Sequence, residues 1–192
     1  QMEKQLVGFY VSGHPMEKWW PLVRGFVNGD LEWLKVEFDR RKALPLKERG
    51  VIVQKEAFGP GAYRNEGPRW DVVLCSMVAS FREIMTKKGT RMAFAEFEDG
   101  RAKLEAICFP EAYEQYGPLL KTSMVECVPV IIAGNIGLEE ETPKIFIRTL
   151  DRVEEYKNKR ISSVTIRVNP SAASAHVLAQ LRAVRVRHRG KC

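Results

Sequence analysis

Between residues 71 and 155 the sequence alternates short β-prone segments with turn signals. This pattern restricts the fold more than any other feature of the chain. The first segment, residues 72–81, is largely apolar and long enough to bend and to take part in both halves of a small barrel. Residues 91–98 alternate between two faces and predict a second strand. Asp99-Gly100 predicts a hairpin into a third strand over residues 102–109.

The segment after the third strand changes to helical spacing. Pro110 and Glu111 suit the first turn of a helix, which we predict over residues 110–120 as the cover of one barrel opening. Its larger side chains fall near one stripe: Tyr113, Tyr116 and Leu120.

Two further strands complete the order. We predict them over residues 124–136, with a bend at Gly134, and over residues 144–153, with an acidic loop at 137–143 between them. The order β-β-β-α-β-β is that of the Greek-key barrel known as the OB-fold. We therefore predict a mainly β fold with α, in which a five-stranded OB-fold Greek-key barrel over residues 71–155 has an N-terminal helical segment and a partial α/β tail domain beside it.

The flanking segments give weaker signals. Residues 1–20 predict a short helix, with Gly13 and Pro15 at its end. Residues 21–70 are charged and interrupted by proline and glycine, so we interpret them as a charged linker with a few helical turns, one of them at residues 31–34. Residues 156–192 predict a partial C-terminal domain: a charged connector, a strand at 164–168, and a helix with Ser174 as its N-cap. We expect both ends to be cuts through a longer protein.

Composition narrows the class of function. A net charge of +7 and a pI of about 9.3 favour a polyanionic partner, although many domains are mildly basic for no specific reason. The four cysteines form no CxxC pair, and the first three fall in predicted strands, so we expect reduced, buried thiols of a cytoplasmic protein. The three histidines lack metal-ligand spacing, and no residue constellation predicts catalysis or a cofactor. No apolar run approaches the ~20 residues of a membrane helix, so we expect no membrane partner.

The barrel face carries the candidate binding residues. A site for single-stranded nucleic acid needs cations for phosphates and flat apolar groups for bases. In OB-folds these come from the second and third strands and from the loops that follow the first and fourth strands. The candidates lie around the first of those loops and on the adjacent strands: Arg82, Lys87, Lys88, Arg91, Met92, Phe94 and Lys103. We predict Met92 and Phe94 on the outward face, where a base could stack.

Two ordinary structural interpretations compete with this site, and one feature of the sequence opposes it. Lys87 and Lys88 could form an ordinary solvated turn, and Phe94 could pack against a neighbouring domain. The second loop carries three consecutive glutamates at residues 139–141, which would repel a phosphate backbone on that side.

Several motifs together resemble one family. They are EKQLVGFYVSGHP at residues 3–15, TKKGTRMAF at residues 86–94, and FPEAY at residues 109–113. Their order and spacing resemble the C-terminal part of the bacterial DNA polymerase III alpha subunit (DnaE type). The resemblance covers residues 1–15 and about 72–155 well, and residues 160–190 only loosely.

This resemblance implies a role in replication. Residues 1–20 would end the helical region upstream in the polymerase, and the OB module would contact single-stranded template DNA through Lys87, Lys88, Arg91 and Phe94. Residues 156–192 would begin a domain that in this family binds tau of the clamp loader, and the sliding clamp is another candidate partner. The catalytic carboxylates and Mg²⁺ of the DNA-directed DNA polymerase would lie outside this chain, which leaves no catalytic residue and no cofactor within it.

Two alternatives remain open at this point. The barrel and tail could form a protein-interaction module that docks replisome subunits, with incidental DNA contact and with Trp19 and Trp20 as docking groups. A stand-alone OB protein acting on transfer RNA or in repair is the other, although the motif at residues 3–15 has no role there.

Overall fold

The computed structural model describes residues 14–45, 48–49, 51–52, 68–161 and 174–187. The chain divides into two compact units, residues 1–154 and residues 155–192. The helix predicted within residues 1–20 lies mostly outside the described residues, and the strand predicted at 164–168 lies wholly outside them.

The segment before the barrel contains short helices and a two-residue strand. A 3₁₀ turn over Pro15–Lys18 leads into α1 (Trp20–Val23), and α2 spans Leu31–Lys42. Strand β1 (Val51–Ile52) pairs antiparallel with the start of the next strand.

Five strands close into the predicted barrel. They are β2 (Pro68–Met85), β3 (Arg91–Glu98), β4 (Lys103–Cys108), β5 (Val130–Gly137) and β6 (Lys144–Arg152), and helix α3 (Pro110–Glu126) lies between β4 and β5. The hydrogen-bonded order is β2-β3-β4-β6-β5, and β5 returns to β2. All pairs are antiparallel except β4 with β6. The predicted fold class, a small OB-like barrel with helical flanks, is confirmed.

Strand β2 belongs to two halves of the barrel. Its first part pairs with β5 as far as Ser76, opposite Val130, and its second part pairs with β3 from Met77, opposite Glu98. The buried Ser76 hydroxyl donates a hydrogen bond to the Glu98 carbonyl at 3.1 Å, at the point where the partner strand changes. The predicted bending strand is therefore observed.

Two glycines shape the barrel where the chain turns or crowds. Gly100 has a φ of +88° in the turn between β3 and β4, which confirms the predicted hairpin. Gly134 lies at a register shift between β5 and β6, and a Cβ there would lie 2.2 Å from the Phe146 carbonyl oxygen. The predicted bend at Gly134 therefore coincides with an approach that only glycine permits.

Helix α3 is longer than predicted. The sequence placed the start of a strand at Met124, but the helix continues past Pro118 to Glu126, and the fourth strand begins only at Val130. Cys127 ends the helix in the left-handed conformation, with a φ of 52°, and is therefore not in a strand as predicted. The prediction was wrong because a buried stripe of Tyr113, Gly117, Leu120 and Ser123 outweighs the β-propensity of Met124 and Val125.

Helix α2 lies in the segment that the sequence predicted to be a charged linker with a few helical turns, one of them at residues 31–34. It has three turns, and Leu31, Leu34 and Phe38 are buried in the same core as the barrel. Trp33 meets Trp70 of β2 edge-to-face at a centroid distance of 5.6 Å. The dense charges hid this helix in the sequence because its apolar residues form only a narrow stripe.

An aspartate connects α2 to the barrel. Asp99, in the β3–β4 turn, is 3% exposed, and its Oδ2 accepts a hydrogen bond from the Leu31 N–H at 2.8 Å. Its Oδ1 accepts from the N–H groups of Arg101 and Ala102, both at 3.0 Å. A carboxylate at a helix N-terminus is stabilised by the unpaired N–H groups and the helix dipole. Asp99 therefore fixes the hairpin turn and the start of α2 together.

Two helices contain most of the described residues of the second unit, and the first of them begins two residues before it. Helix α4 spans Val153–Arg160, and α5 spans Ala175–Arg187. The Ser174 hydroxyl accepts a hydrogen bond from the Val177 N–H at 3.3 Å, which confirms the predicted N-cap.

Replacement of Asp99 by alanine removes all three hydrogen bonds. We expect Asp99→Ala to lower the free energy of unfolding by about 2 kcal/mol, since a buried carboxylate cap contributes that much. Urea unfolding followed by circular dichroism measures it. Asp39→Ala, on the exposed side of α2, is the matched control and should change stability by less than about 0.5 kcal/mol. Equal losses from the two variants would contradict the proposed role of Asp99.

Candidate nucleic-acid interface

The turn between β2 and β3, closed by hydrogen bonds between Thr86 and Thr90, carries two lysines. The Thr86 N–H donates to the Thr90 carbonyl at 2.8 Å, and the two threonine hydroxyls lie 2.7 Å apart. Gly89 has a φ of +76°, as predicted for this turn. Lys87 and Lys88 are both exposed at its tip. Their backbone is thus held in place while their side chains remain available.

Three cations near this turn have no acidic partner. Within the part of the chain that the structure describes, no carboxylate pairs with Arg82, Lys87 or Lys88. The Arg82 guanidinium lies 5.8 Å from the centroid of the Phe94 ring on the neighbouring strand. These charges are free to meet phosphate groups.

The other two predicted cations are already paired. Arg91 lies 3.4 Å from a Glu83 carboxylate oxygen, and Lys103 donates a hydrogen bond to Glu96 at 2.5 Å. The hydrogen bond to Glu96 is the main reason that the pKa of Lys103 is raised. A phosphate would have to compete with these carboxylates, so the structure separates the predicted cations into an available set and an engaged set.

Apolar side chains lie in register across three strands of the outer face. Phe94 of β3 is opposite Ile107 of β4, and Ile107 is opposite Phe146 of β6. Arg82 of β2, opposite Phe94, continues the row on one side. Phe94 and Ile107 are half-buried, so each retains an accessible surface. We call this row, from Phe94 to Phe146, the apolar strip. Phe146 is only 6% exposed, so Phe94 and Ile107 supply the accessible surface of these three residues.

Sequence reasoning missed the far end of this strip. Phe109, just before α3, stacks on Phe146 with centroids 5.8 Å apart and an interplanar angle of 13°. The Arg69 guanidinium lies 5.5 Å from the Phe146 ring. Phe146 lies in a continuous apolar run with Ile145 and Ile147, so periodicity could not assign its face. The parallel β4–β6 pairing that places it beside Ile107 depends on barrel closure.

Met92 does not offer the surface predicted for it. It alternates with Phe94 along β3, as expected, but it is 4% exposed. A base has little of this side chain to stack on in the observed conformation. Of the two predicted stacking groups, the structure leaves Phe94 accessible.

Glu83 connects the turn region to α3. Its carboxylate accepts hydrogen bonds from the Tyr113 hydroxyl at 2.6 Å and from the Lys121 ammonium at 3.0 Å, and Arg91 lies nearby. The hydrogen bond from Tyr113 is the largest cause of a lowered pKa of Glu83, and Lys121 adds to it. Burial, followed by the same hydrogen bond, raises the pKa of Tyr113. Glu83 thus holds strand β2, strand β3 and helix α3 together behind the basic turn.

Among the described residues, Lys42 contacts the acidic loop between β5 and β6. The Lys42 ammonium donates a hydrogen bond to the Glu140 backbone carbonyl at 2.7 Å, so this contact leaves the loop carboxylates themselves unpaired by Lys42. The predicted repulsion of a phosphate backbone by residues 139–141 therefore stays a prediction.

The described residues include no other chemistry-bearing centre. Among them, no group of three or more His, Cys, Asp or Glu residues is placed to hold a metal ion. Cys75 and Cys108 are free and buried, and burial raises the pKa of each thiol to about 12, with Asp99 a secondary cause at Cys75. Both therefore remain protonated near neutral pH and are poor nucleophiles. No helix in the described ranges is long and apolar enough to cross a membrane.

Comparison with known proteins gives a consistent set of relatives. The chain is 22% identical over 189 residues to the DNA polymerase III subunit alpha of Bacillus subtilis, covering 98% of this chain and 14% of that protein. It is 29% identical over 139 residues to the same subunit of Xylella fastidiosa, covering 72% of this chain and 10% of the relative. The Escherichia coli subunit is 21% identical over 182 residues, covering 94% and 13%.

The chain thus spans 10–14% of the length of these curated relatives. No protein-family profile matches it. The resemblance to DNA polymerase III alpha subunits that the motifs indicated is confirmed.

Replacement of Glu83 should weaken the connection to α3 in a pH-dependent way. Because folding lowers the pKa of Glu83, its stabilising contribution is present above the unfolded-state pKa and is lost as the pH falls through the folded-state pKa. We expect Glu83→Gln to melt at a lower temperature than the wild type at pH 7, with the difference shrinking at pH 3–4. Thermal unfolding at both pH values measures this. Glu114→Gln, an exposed substitution on α3, is the control, and an undiminished difference at low pH would contradict the assignment.

Proposed function

We propose that this chain, a relative of the DNA polymerase III alpha subunits, binds single-stranded DNA on the outer face of its barrel. The bases would stack on Phe94 and Ile107 of the apolar strip and on Phe109, which stacks on Phe146 at its far end. The phosphates would meet Arg82 and the lysines of the Thr86–Thr90 turn. The segment contributes binding and carries no catalysis by itself.

One observation supports this proposal above the others. The half-buried ring of Phe94 lies in register with Arg82 on one side and Ile107 on the other. Arg82 and Phe94 lie on the two strands that the turn with Lys87 and Lys88 connects, and no described carboxylate pairs with these three cations. Cations for the phosphates together with aromatic side chains for the bases are what sequence-tolerant binding of single strands requires.

The parent protein's activity is part of the proposal. The relatives carry the name DNA polymerase III subunit alpha. We infer that this chain is part of a replicative, DNA-directed DNA polymerase of the bacterial cytoplasm, and that the barrel guides the template strand. The polymerase carboxylates and their Mg²⁺ would lie outside the chain. The tail after residue 155 would face replisome subunits, with tau and the sliding clamp as candidates.

A protein-interaction module remains the competing function. It predicts negligible oligonucleotide affinity at physiological salt together with stable capture of purified clamp or tau. The two variant sets below distinguish it, because neither set should alter binding to a protein partner that uses another surface.

The first test concerns the unpaired cations. We expect Arg82→Ala/Lys87→Ala/Lys88→Ala to weaken oligonucleotide binding and to make the salt dependence shallower by about 2, since each phosphate contact on a single strand contributes about 0.7 to the slope. Fluorescence anisotropy with a labelled oligothymidine across a salt series measures this.

Two comparison variants sharpen that test. Lys18→Ala/Arg24→Ala/Lys35→Ala removes the same charge from exposed positions outside the face and should leave most of the slope. Lys103→Ala, whose lysine is engaged by Glu96, should have a smaller effect than Lys87→Ala. Equal slopes for the face triple variant and the wild type would exclude the proposed face.

The second test concerns base stacking. We expect Phe94→Leu to lose about 1–3 kcal/mol of binding to single strands, the contribution of one stacked base. Phe94→Tyr keeps the ring and should bind nearly as well as the wild type. Because Phe94 is only half-buried, we expect both variants to fold, and thermal melting checks this. If Leu and Tyr bound equally, bases would not stack at this position.

A further inference from the structure

The chain's net positive charge arises outside the unit that contains the barrel. Residues 1–154 contain 22 Lys and Arg residues and 23 Asp and Glu residues, so this unit is close to neutral. Residues 155–192 contain nine Lys and Arg residues and a single acidic one, Glu155. The excess of +7 therefore arises entirely from the second unit.

This unit has far fewer acidic residues than cations. No acidic residue follows Glu155 along the remaining sequence. On α5, Arg182 and Arg187 are exposed, and no ion pair involves either within the described ranges. On α4, the Arg160 guanidinium lies 5.2 Å from the Tyr156 ring and is exposed, so an aromatic group supports it without removing its charge. A unit of this kind attracts an extended polyanion.

Composition indicates which polyanion fits. Six of the nine cations are arginines, whose planar guanidinium matches the oxygens of a phosphate with two parallel hydrogen bonds. They recur from residue 160 to residue 189 rather than in one cluster, which suits a linear backbone with charges at regular intervals.

We propose that this basic segment, through the exposed arginines of α4 and α5 (Arg160, Arg182 and Arg187), binds the phosphate backbone of nucleic acid, single-stranded or double-stranded alike. The barrel strip selects single strands through bases, whereas contacts to phosphate carry no such selection. These arginines would add salt-dependent affinity to that of the three barrel cations. The inference goes beyond the proposed function because it requires duplex binding that the barrel does not provide.

The test uses the full chain and two oligonucleotides. We expect Arg182→Gln/Arg187→Gln to make the salt dependence of duplex binding shallower by about 2, since each phosphate contact on a duplex contributes about 0.9. The single-strand slope should fall by about 1.4 for the same reason. Glutamine is a good helix former, so α5 should persist, and circular dichroism checks this.

Two controls separate charge position from net charge. Arg24→Gln/Lys35→Gln removes the same charge from exposed sites of the first unit and should leave the duplex slope near that of the wild type. Arg182→Lys/Arg187→Lys keeps the charge and should keep the slope. An unchanged slope for the α5 glutamine variant, or equal changes in both glutamine variants, would overturn the proposal.

The failure of this inference is distinguishable from failure of the barrel site. Phe94→Leu should weaken single-strand binding only, and the α5 variant should weaken both ligands. If only the α5 variant has an effect, the barrel proposal fails and this one holds, and the reverse pattern overturns this one alone.

Poly-glutamate is the third ligand because α5 also exposes Leu178, Val184 and Val186, which an acidic protein partner could cover. Poly-glutamate binding as tight as that of an oligonucleotide of equal charge would overturn phosphate recognition.

Discussion

The barrel depends on one strand that changes partners. Strand β2 is 18 residues long, and it pairs with β5 up to Ser76 and with β3 from Met77 onwards. This change of partner closes the sheet, so each of the five barrel strands pairs with a strand on both sides, and β1 pairs with β2 alone among the described strands. Closure also creates the parallel contact between β4 and β6, without which Ile107 and Phe146 would not be adjacent. The outer strip and the buried core therefore have the same origin in the bend of β2.

Charge and geometry play separate parts in the candidate interface. The barrel unit is nearly neutral, and several of its surface cations are engaged, as Arg91 is by Glu83 and Lys103 by Glu96. What distinguishes the proposed face is that no described carboxylate pairs with Arg82, Lys87 or Lys88, and that Arg82 lies over the half-buried Phe94 ring. The overall basicity, which first suggested a polyanionic partner, belongs instead to the second unit. The net charge of the whole chain therefore does not describe either surface, because the barrel face and the basic second unit differ in charge and in the ligand groups they would bind.

Particular elements show why the sequence predicted some features and not others. The bounds of β3 and the hairpin at Asp99-Gly100 were predicted correctly because alternation and turn chemistry are local signals. Helix α2 was foreseen only as a turn, since its three buried residues are separated by charges and gain their stability from Asp99 and Trp70, which are distant in sequence. The end of α3 was misplaced because local β-propensity at Met124 opposed a stripe that packs on the barrel. Met92 was placed on the correct face, but its burial depends on neighbours that alternation does not reveal.

By itself, the sequence determined the order of strands, the basic turn, the polymerase-like motifs and the separation of charge along the chain. Each of these follows from residue type and spacing. The tertiary structure alone decided which cations are free, which aromatic side chains share a strip, and that α2 completes the core. Those properties depend on contacts between residues far apart in sequence, such as Arg82 with Phe94, Phe109 with Phe146, and Leu31 with Asp99. Such contacts exist only once the sheet has closed, because barrel closure sets the register between strands.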